Sequence, residues 1–347
     1  MSASGLTDGK FVLGVDAGNS KTHGVVASLD GRLLGLARTG PGNYESVGMD
    51  QAMKNVAEAC RGAMAMAGAC GRAAAACFGL AGADFPEDYV MLEGEVTKLG
   101  LARKVQVVND TMVGLRAGVR QPYGVVVVMG AATNAAGRGP SGQEVRLLGE
   151  GFIFGDWGGG QVISDHILHH VFRAYDGRGP ATQLTDLVLD RLQAPDLEEF
   201  TRRLYHDEIP REARLGLVPL LFEAAHDGDQ VACDLVRRVG EEAAICAIAL
   251  IRRLALDKEP VPVVLAGSVF KGKGPLLLDV IRARIHQVAP RACISRPKFE
   301  PVVGAAILAL ELLGLGLDDE RWHHLEHSAA QLALTLSCEP CRASKAD

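Results

Sequence analysis

The sequence predicts an α/β protein made of two copies of one unit, and two observations carry that prediction. Twice along the chain a strand-like apolar run, a glycine-bearing polar turn and two more strand-like runs lead into alternating helix and strand patterns. The chain also has 347 residues, more than a single core usually serves. Its composition agrees, because 41 glycines against only 5% aromatic residues suit helices packed closely on sheets.

The first unit opens with FVLGVDAGNSKTHGVVASLDGRLLGLA, three short strands joined at AGNSKT and LDGR. A helix follows from about Met49 to Met66, then the strand AAAACFGLAG, a helix at about 86–99, the strand KVQVVND and a short helix. The second unit opens with GVVVVMGAATNAAGRGPSGQEVRLLG, again three strands. Helical segments run from about 158 to 256, before the strand VPVVLAGS, another helix and a closing helix near 302–314. Each copy is a βββαβαβα-type lobe, and two such lobes imply a cleft between them, where ligands generally bind. We place the N-terminal lobe at residues 1–122, the C-terminal lobe with its helical insertion at 123–315, and a helical tail at 316–347.

Composition narrows the function classes. The net charge is −6 with no basic tract, which argues against nucleic acid as a partner. No apolar run is long enough to span a bilayer. The start, MSASGLTDGK, has no hydrophobic signal region, so the protein is expected in the cytoplasm. The eight cysteines are expected as reduced thiols; Cys60, Cys70, Cys77, Cys233 and Cys246 sit among small apolar residues.

Several stretches carry chemistry. In GVDAGNSKT, Asp16 ends a strand, and Gly18, Asn19 and Ser20 form a turn suited to positive φ. Backbone N–H groups of such a turn can face a phosphate. Lys21 and Thr22 add a charge and a hydroxyl, and Asp16 can hold Mg²⁺ through water. VMGAATNAAG is the matching turn of the second unit, with Gly130, Ala131, Ala132, Thr133 and Asn134. GPGNYESVG offers Asn43 to a polar ligand. In GDWGGG, Asp156 either caps the next helix or binds hydroxyls, and four glycines in six residues exceed what a cap needs. In VVLAGSVFKG, the turn at Gly267 and Ser268 lets backbone pack against a flat base such as adenine. VVNDTMVGLRAG places Asp110 where a buried strand meets a helix. It is either a helix cap or a catalytic base, and its position between two phosphate-type turns favours the base. The tail holds His323, His324 and His327, then Cys338-Glu339-Pro340-Cys341. Their spacing fits no common zinc finger, so a surface helix with a frayed end is expected instead of a zinc site.

Taken together, the two turns, GLAGAD (79–84) and Asn109-Asp110 resemble, in this order, the superfamily of sugar kinases, actin and heat-shock chaperone ATPases. Within it, residues 11–315 are similar to the BadF/BadG/BcrA/BcrD ATPase family, whose best-understood enzymes are N-acetylglucosamine kinases. The resemblance implies two ribonuclease H-like (actin-like ATPase) lobes, ATP with Mg²⁺, a small-molecule sugar substrate and a homodimer. It makes DAGNSKT the first phosphate loop, GAATN the second, and AGSVF (Gly267, Ser268, Val269) the adenosine loop. Asp110 falls on the general base, and Asn43, Asp84, Asn109, Gly149 and Asp156 fall with the sugar site. The implied activity is phosphorylation of an amino sugar or N-acetylhexosamine.

Three positions depart from the family pattern. Gly130-Ala131-Ala132-Thr133 replaces Gly-Thr-Gly-Ser/Thr, Trp157 stands for a glutamate, and Glu150 for a tryptophan. The altered second loop motivates one alternative, a sugar or nucleotide sensor that has lost turnover. The other alternative is a BadF-type activator ATPase, which needs cysteines to hold a cluster; residues 78–232 contain none.

Overall fold

The computed structural model describes residues 6–336. The chain runs β1 (Phe11–Ala17), β2 (Thr22–Ser28), β3 (Leu33–Thr39), α1 (Tyr44–Val47), α2 (Met49–Met66), β4 (Ala73–Leu80), α3 (Pro86–Lys98), β5 (Ala102–Asn109) and α4 (Asp110–Gly118). It continues with β6 (Gly124–Met129), β7 (Thr133–Arg138) and β8 (Glu144–Arg146). The helices α5 (Gly160–Tyr175), α6 (Leu184–Leu192), α7 (Leu197–Tyr205), α8 (Arg211–Leu215), α9 (Val218–His226) and α10 (Gln230–Arg253) follow. The chain closes with β9 (Pro262–Ala266), α11 (Leu276–His286), β10 (Cys293–Ser295), α12 (Pro301–Glu311) and α13 (Asp319–Gln331).

The strand order is β3-β2-β1-β4-β5 in one sheet and β8-β7-β6-β9-β10 in the other, so one plan is used twice. In the first sheet β1 pairs antiparallel with β2 and parallel with β4, and β4 pairs parallel with β5. The two α/β lobes read from the sequence are therefore present. The short strand β10 is an addition, because three residues leave no readable alternation. Among the described residues, the compact units gather residues 6–126 with Ala136–Glu144 and residues 295–336 in one, and Val127–Ala135 with Val145–Ile294 in the other.

Glycine and alanine set the packing of the first unit. A Cβ on Gly24 would lie 2.7 Å from the Ala59 carbonyl oxygen, so α2 rests directly on β2. On the opposite face a Cβ on Gly14 would lie 2.4 Å from Ala306 N, and one on Gly304 only 1.9 Å from the Val113 carbonyl oxygen. Helix α12 thus touches both β1 and α4 at backbone distance. Beside this crossing Arg116, 1% exposed, pairs with Glu311 at 2.6 Å and donates to the carbonyls of Val119 at 2.7 Å and Gln121 at 3.1 Å. The far end of α4 is therefore fixed by charge-assisted bonds.

The thiol expectation needs one correction. Cys60, Cys70, Cys77, Cys233 and Cys246 are free, but Cys293 is disulfide-bonded. Composition indicates a redox compartment; it does not report which sulfurs the fold brings into reach. Cys338 and Cys341 of the candidate zinc motif lie outside the described residues. Among the described residues no group of three or more His, Cys, Asp or Glu side chains is arranged to hold a metal, and no helix is long and apolar enough to cross a membrane.

Candidate active site

In the first unit the site is built from strand ends. The parallel register sets Ala17 beside Leu80 and Leu80 beside Asn109, so the carboxyl ends of β1, β4 and β5 lie in a row. That edge is where open α/β sheets bind ligands. Asp16 comes one residue before the end of β1, and Asp110 immediately after β5.

The geometry settles which residue caps α4. The cap is Asn109, whose side-chain oxygen accepts from the Thr111 backbone N–H at 3.1 Å and from the Thr111 hydroxyl at 2.5 Å. Asp110 is the first helical residue and is half-buried. Its charge is felt at Asp16. Burial first, then the charges of Asp110 and Glu300, push the Asp16 carboxyl up to about 7 against the opposing charge of Lys21. Glu300 was missed by the sequence reading. It is the N-cap residue of α12, and only the fold brings that helix start to Asp16; its one local signal is Pro301 at the first helical position.

The first phosphate turn is tighter than expected. The Gly18 N–H bonds to the Lys21 carbonyl at 3.0 Å, which closes the hairpin. No residue from Gly18 to Lys21 takes positive φ. The glycine is thus not needed for backbone freedom there, and its N–H is already engaged. The 40–43 loop folds onto this turn: Gly42 N–H donates to the Gly18 carbonyl at 3.0 Å, and Asn43 Nδ2 to Asn19 Oδ1 at 2.8 Å. Asn43 Oδ1 also caps α1, accepting from Glu45 N–H at 3.0 Å. Two buried groups beside Asp16 lack hydrogen-bond partners, the Thr22 hydroxyl and His23 Nδ1. His23 faces Asp16 across the β1–β2 register, and burial pushes its imidazole down to about 4.

Asp84 is half-buried in the loop after β4. Asn109 Nδ2 donates to its Oδ1 at 3.0 Å and to the Ala83 carbonyl at 3.1 Å.

The second unit explains the glycines of GDWGGG. Asp156 does not cap α5; its carboxylate accepts from the Gly151 N–H at 2.7 Å, and the N-cap position is Gly159. Gly155 and Gly158 have φ of 96° and 100°. A Cβ on Gly159 would stand 2.6 Å from the Ala132 carbonyl carbon. Gly160 N–H and Gln161 N–H donate to the carbonyls of Gly130 and Ala131 at 2.8 and 3.0 Å. The first turn of α5 thus grips the second phosphate turn. Within that turn the Gly130 N–H is used by the Ala132 carbonyl at 3.0 Å, and the Thr133 hydroxyl donates to the Trp157 carbonyl at 3.1 Å. Asn134 Oδ1 is buried without a partner, against Gly149.

A cavity of about 610 Å³ opens beside this turn. Gly130, Ala131, Ser268 and Val269 line it together with Phe222 and Lys271. Gly267, with φ of 106°, lets β9 turn close over Met129 of β6. The structure therefore brings Ser268 and Val269, expected in an adenosine loop, and Gly130 and Ala131, expected in a phosphate loop, to one hollow with apolar walls. The sequence reading singled out neither Phe222, which comes from α9, nor Lys271, which lies within VVLAGSVFKG itself.

The donors in the first unit suit a magnesium ion. Mg²⁺ prefers hard oxygen ligands and retains several waters, so one or two carboxylates suffice. Asp16 is a desolvated carboxylate with a second negative charge, Asp110, close by; a cation there relieves both.

Such strand-end carboxylates, paired glycine-bearing turns and a repeated five-stranded plan are those of an α/β fold of the actin-like ATPase class. Residues 13–309 match the family model described as the BadF/BadG/BcrA/BcrD ATPase family. The chain belongs to that family. A Clostridium acetobutylicum protein named N-acetylmuramic acid/N-acetylglucosamine kinase is 28% identical over 301 residues, covering 86% of this chain and 98% of that one. A Dictyostelium discoideum N-acetyl-D-glucosamine kinase is 30% identical over 313 residues, covering 87% and 98%. Among solved structures, a candidate N-acetylglucosamine kinase from Chromobacterium violaceum shares the fold with a TM-score of 0.66 at 23% identity. That match covers 87% of this chain and 99% of the other.

Proposed function

We propose that this protein is an ATP-dependent sugar kinase acting on an N-acetylhexosamine, with Asp110 as general base. The supporting observation is the placement at the start of α4: Asn109 takes the cap, and Asp110 opens the helix at the strand end, close enough to Asp16 to raise its carboxyl. The kinase names of the relatives, which align over nearly their whole length, support the same reading.

In this reading a sugar hydroxyl attacks the γ-phosphorus of ATP, its proton passes to the Asp110 carboxylate, and the bond to the bridging oxygen breaks to release ADP. Mg²⁺, held at Asp16, neutralises charge on the phosphate oxygens when bound. The chain's own contribution is to orient the hydroxyl and to accept its proton. The base of ATP occupies the hollow lined by Ser268, Val269 and Phe222.

The test is coupled ADP release with Mg·ATP against N-acetylglucosamine, glucosamine, N-acetylmannosamine, N-acetylmuramic acid and glucose, with Asp110→Asn as control. We expect sugar-dependent release that falls about 10²–10⁴-fold in the variant. No sugar-dependent release from protein that still binds ATP would refute the reading, as would an Asp110→Asn enzyme of full activity.

A further inference from the structure

We infer that His23 is a positioning residue for the magnesium ion at Asp16, its ring accepting a hydrogen bond from a water that the ion keeps. The role rests on the sugar-kinase reading with Mg²⁺ at Asp16, and adds to it a residue just past the first phosphate turn.

The sheet sets the neighbours of Asp16. Asp16 stands opposite His23 across the β1–β2 pair, and His23 stands opposite Arg38 across the β2–β3 pair. On its other side Asp16 lies beside Gly79 of β4. Residues directly opposite share one face of the sheet, with Cβ atoms about 4.5–5.5 Å apart. This row lies on the face covered by α12 and α4. A Cβ on Gly14, two residues before Asp16, would meet Ala306, and one on Gly79 would stand 2.6 Å from the Val113 side chain. Val113 thus closes the β4 side of Asp16 with methyl groups, and the polar side chain next to Asp16 in the row is the imidazole of His23.

Two observations point from this pair to a ligand. The Asp16 carboxylate accepts no hydrogen bond from a described residue. His23 is 8% exposed, and its Nδ1 is buried without a partner. A buried polar atom left unpaired is costly, and native proteins seldom keep one without a reason.

The chemistry of the two groups says which ligand serves both. Burial, with Lys21 and Arg38 near, keeps the ring neutral, so one nitrogen carries a hydrogen and the other is bare. Mg²⁺ binds oxygen, keeps several waters and needs only one or two carboxylates. It therefore takes Asp16 and leaves the nitrogen outside its ligands. A water on a cation turns its lone pair to the metal and its hydrogens outward, and so donates to a bare nitrogen. The tautomer this requires has its hydrogen on Nε2 and its free lone pair on Nδ1. A neutral ring gives that support without setting a second positive charge beside the ion, as outer partners of bound metals do.

The test is calorimetric titration of ADP into the protein with chelator and with millimolar MgCl₂, which needs no turnover. The ratio of the two affinities measures what magnesium contributes. It is compared for the wild type, His23→Leu, His23→Asn, Asp16→Asn and the double variant Asp16→Asn/His23→Leu. Asparagine sets Oδ1 as far along the side chain as Nδ1, so His23→Asn keeps an acceptor there, whereas leucine keeps only apolar bulk. Melting in chelator checks the fold. His23→Phe, a ring without nitrogen, takes the place of His23→Leu if that variant does not fold.

His23→Leu should lower the magnesium ratio about 10-fold or more while ADP affinity in chelator stays within about 2-fold of the wild type. His23→Asn should recover most of the loss, and the double variant should bind Mg·ADP no more weakly than Asp16→Asn. A full magnesium ratio in His23→Leu would overturn the inference. So would a loss of equal size in chelator, no recovery in His23→Asn, or a double variant weaker than Asp16→Asn. A wild type indifferent to magnesium, or a ratio untouched by Asp16→Asn, would take the metal from Asp16 and the role from His23. If the ratio falls in His23→Leu but the wild type releases no ADP from ATP with any sugar, the kinase reading fails and His23 keeps its role.

Discussion

Replacing Asp16 by asparagine should stabilise the metal-free protein at pH 8 and remove its response to magnesium. The folded chain holds the Asp16 carboxyl near 7, against an ordinary value of 3.8, first through burial and then through the charge of Asp110. Below about pH 4 the group is protonated folded and unfolded, and it contributes no penalty. Between about 4 and 7 the folded state keeps a proton that the unfolded chain releases, so stability falls as pH rises. By pH 8 the folded protein holds the ionised, desolvated carboxylate. The displacement from 3.8 to about 7 corresponds to roughly 4 kcal/mol, with water reaching the group reducing it. Asparagine has the same shape without the charge.

Melting temperatures at pH 5 and pH 8, with chelator and with millimolar MgCl₂, test this. With chelator at pH 8 the variant should melt roughly 5 °C or more above the wild type, and the gap should shrink at pH 5. Magnesium should raise the melting point of the wild type and leave the variant unmoved, while the variant loses kinase activity. A gap of equal size at both pH values would show that the difference is packing and not charge. A variant that magnesium stabilises as strongly as the wild type would remove Asp16 from the metal site.

Two further outcomes follow from close approaches. Gly304→Ala places a methyl 1.9 Å from the Val113 carbonyl oxygen, so α12 and α4 must separate; the expected cost is about 1–3 kcal/mol or more by chemical denaturation, with activity lowered because α4 carries Asp110. Gly272→Ala places a methyl 2.5 Å from the Phe222 ring; because Phe222 lines the hollow proposed for the base, KM for ATP should rise several-fold with sugar affinity little changed, measured by steady-state kinetics.

The sequence by itself determined the duplicated βββαβαβα plan and the family. These rest on local signals: alternation of apolar residues, glycine-bearing turns and the order of short motifs along the chain. It favoured Asp110 as base over cap from its position between two phosphate-type turns, although adjacent Asn109 and Asp110 are equally good caps on paper; the fold adds that Asn109 is the cap. It also gave too much freedom to Gly18, whose turn closes without positive φ, and left the glycines of GDWGGG unexplained until α5 was seen against Ala131 and Ala132. Glu300 lies 284 positions from Asp16 in the chain, and no period or motif links them. Only the packing of α12 brings its charge to bear on that carboxylate. Turn chemistry and periodicity depend on neighbours in sequence, and so can be read from the sequence. Burial, charge coupling and the use of each hydrogen bond depend on neighbours in space, which only the folded chain supplies.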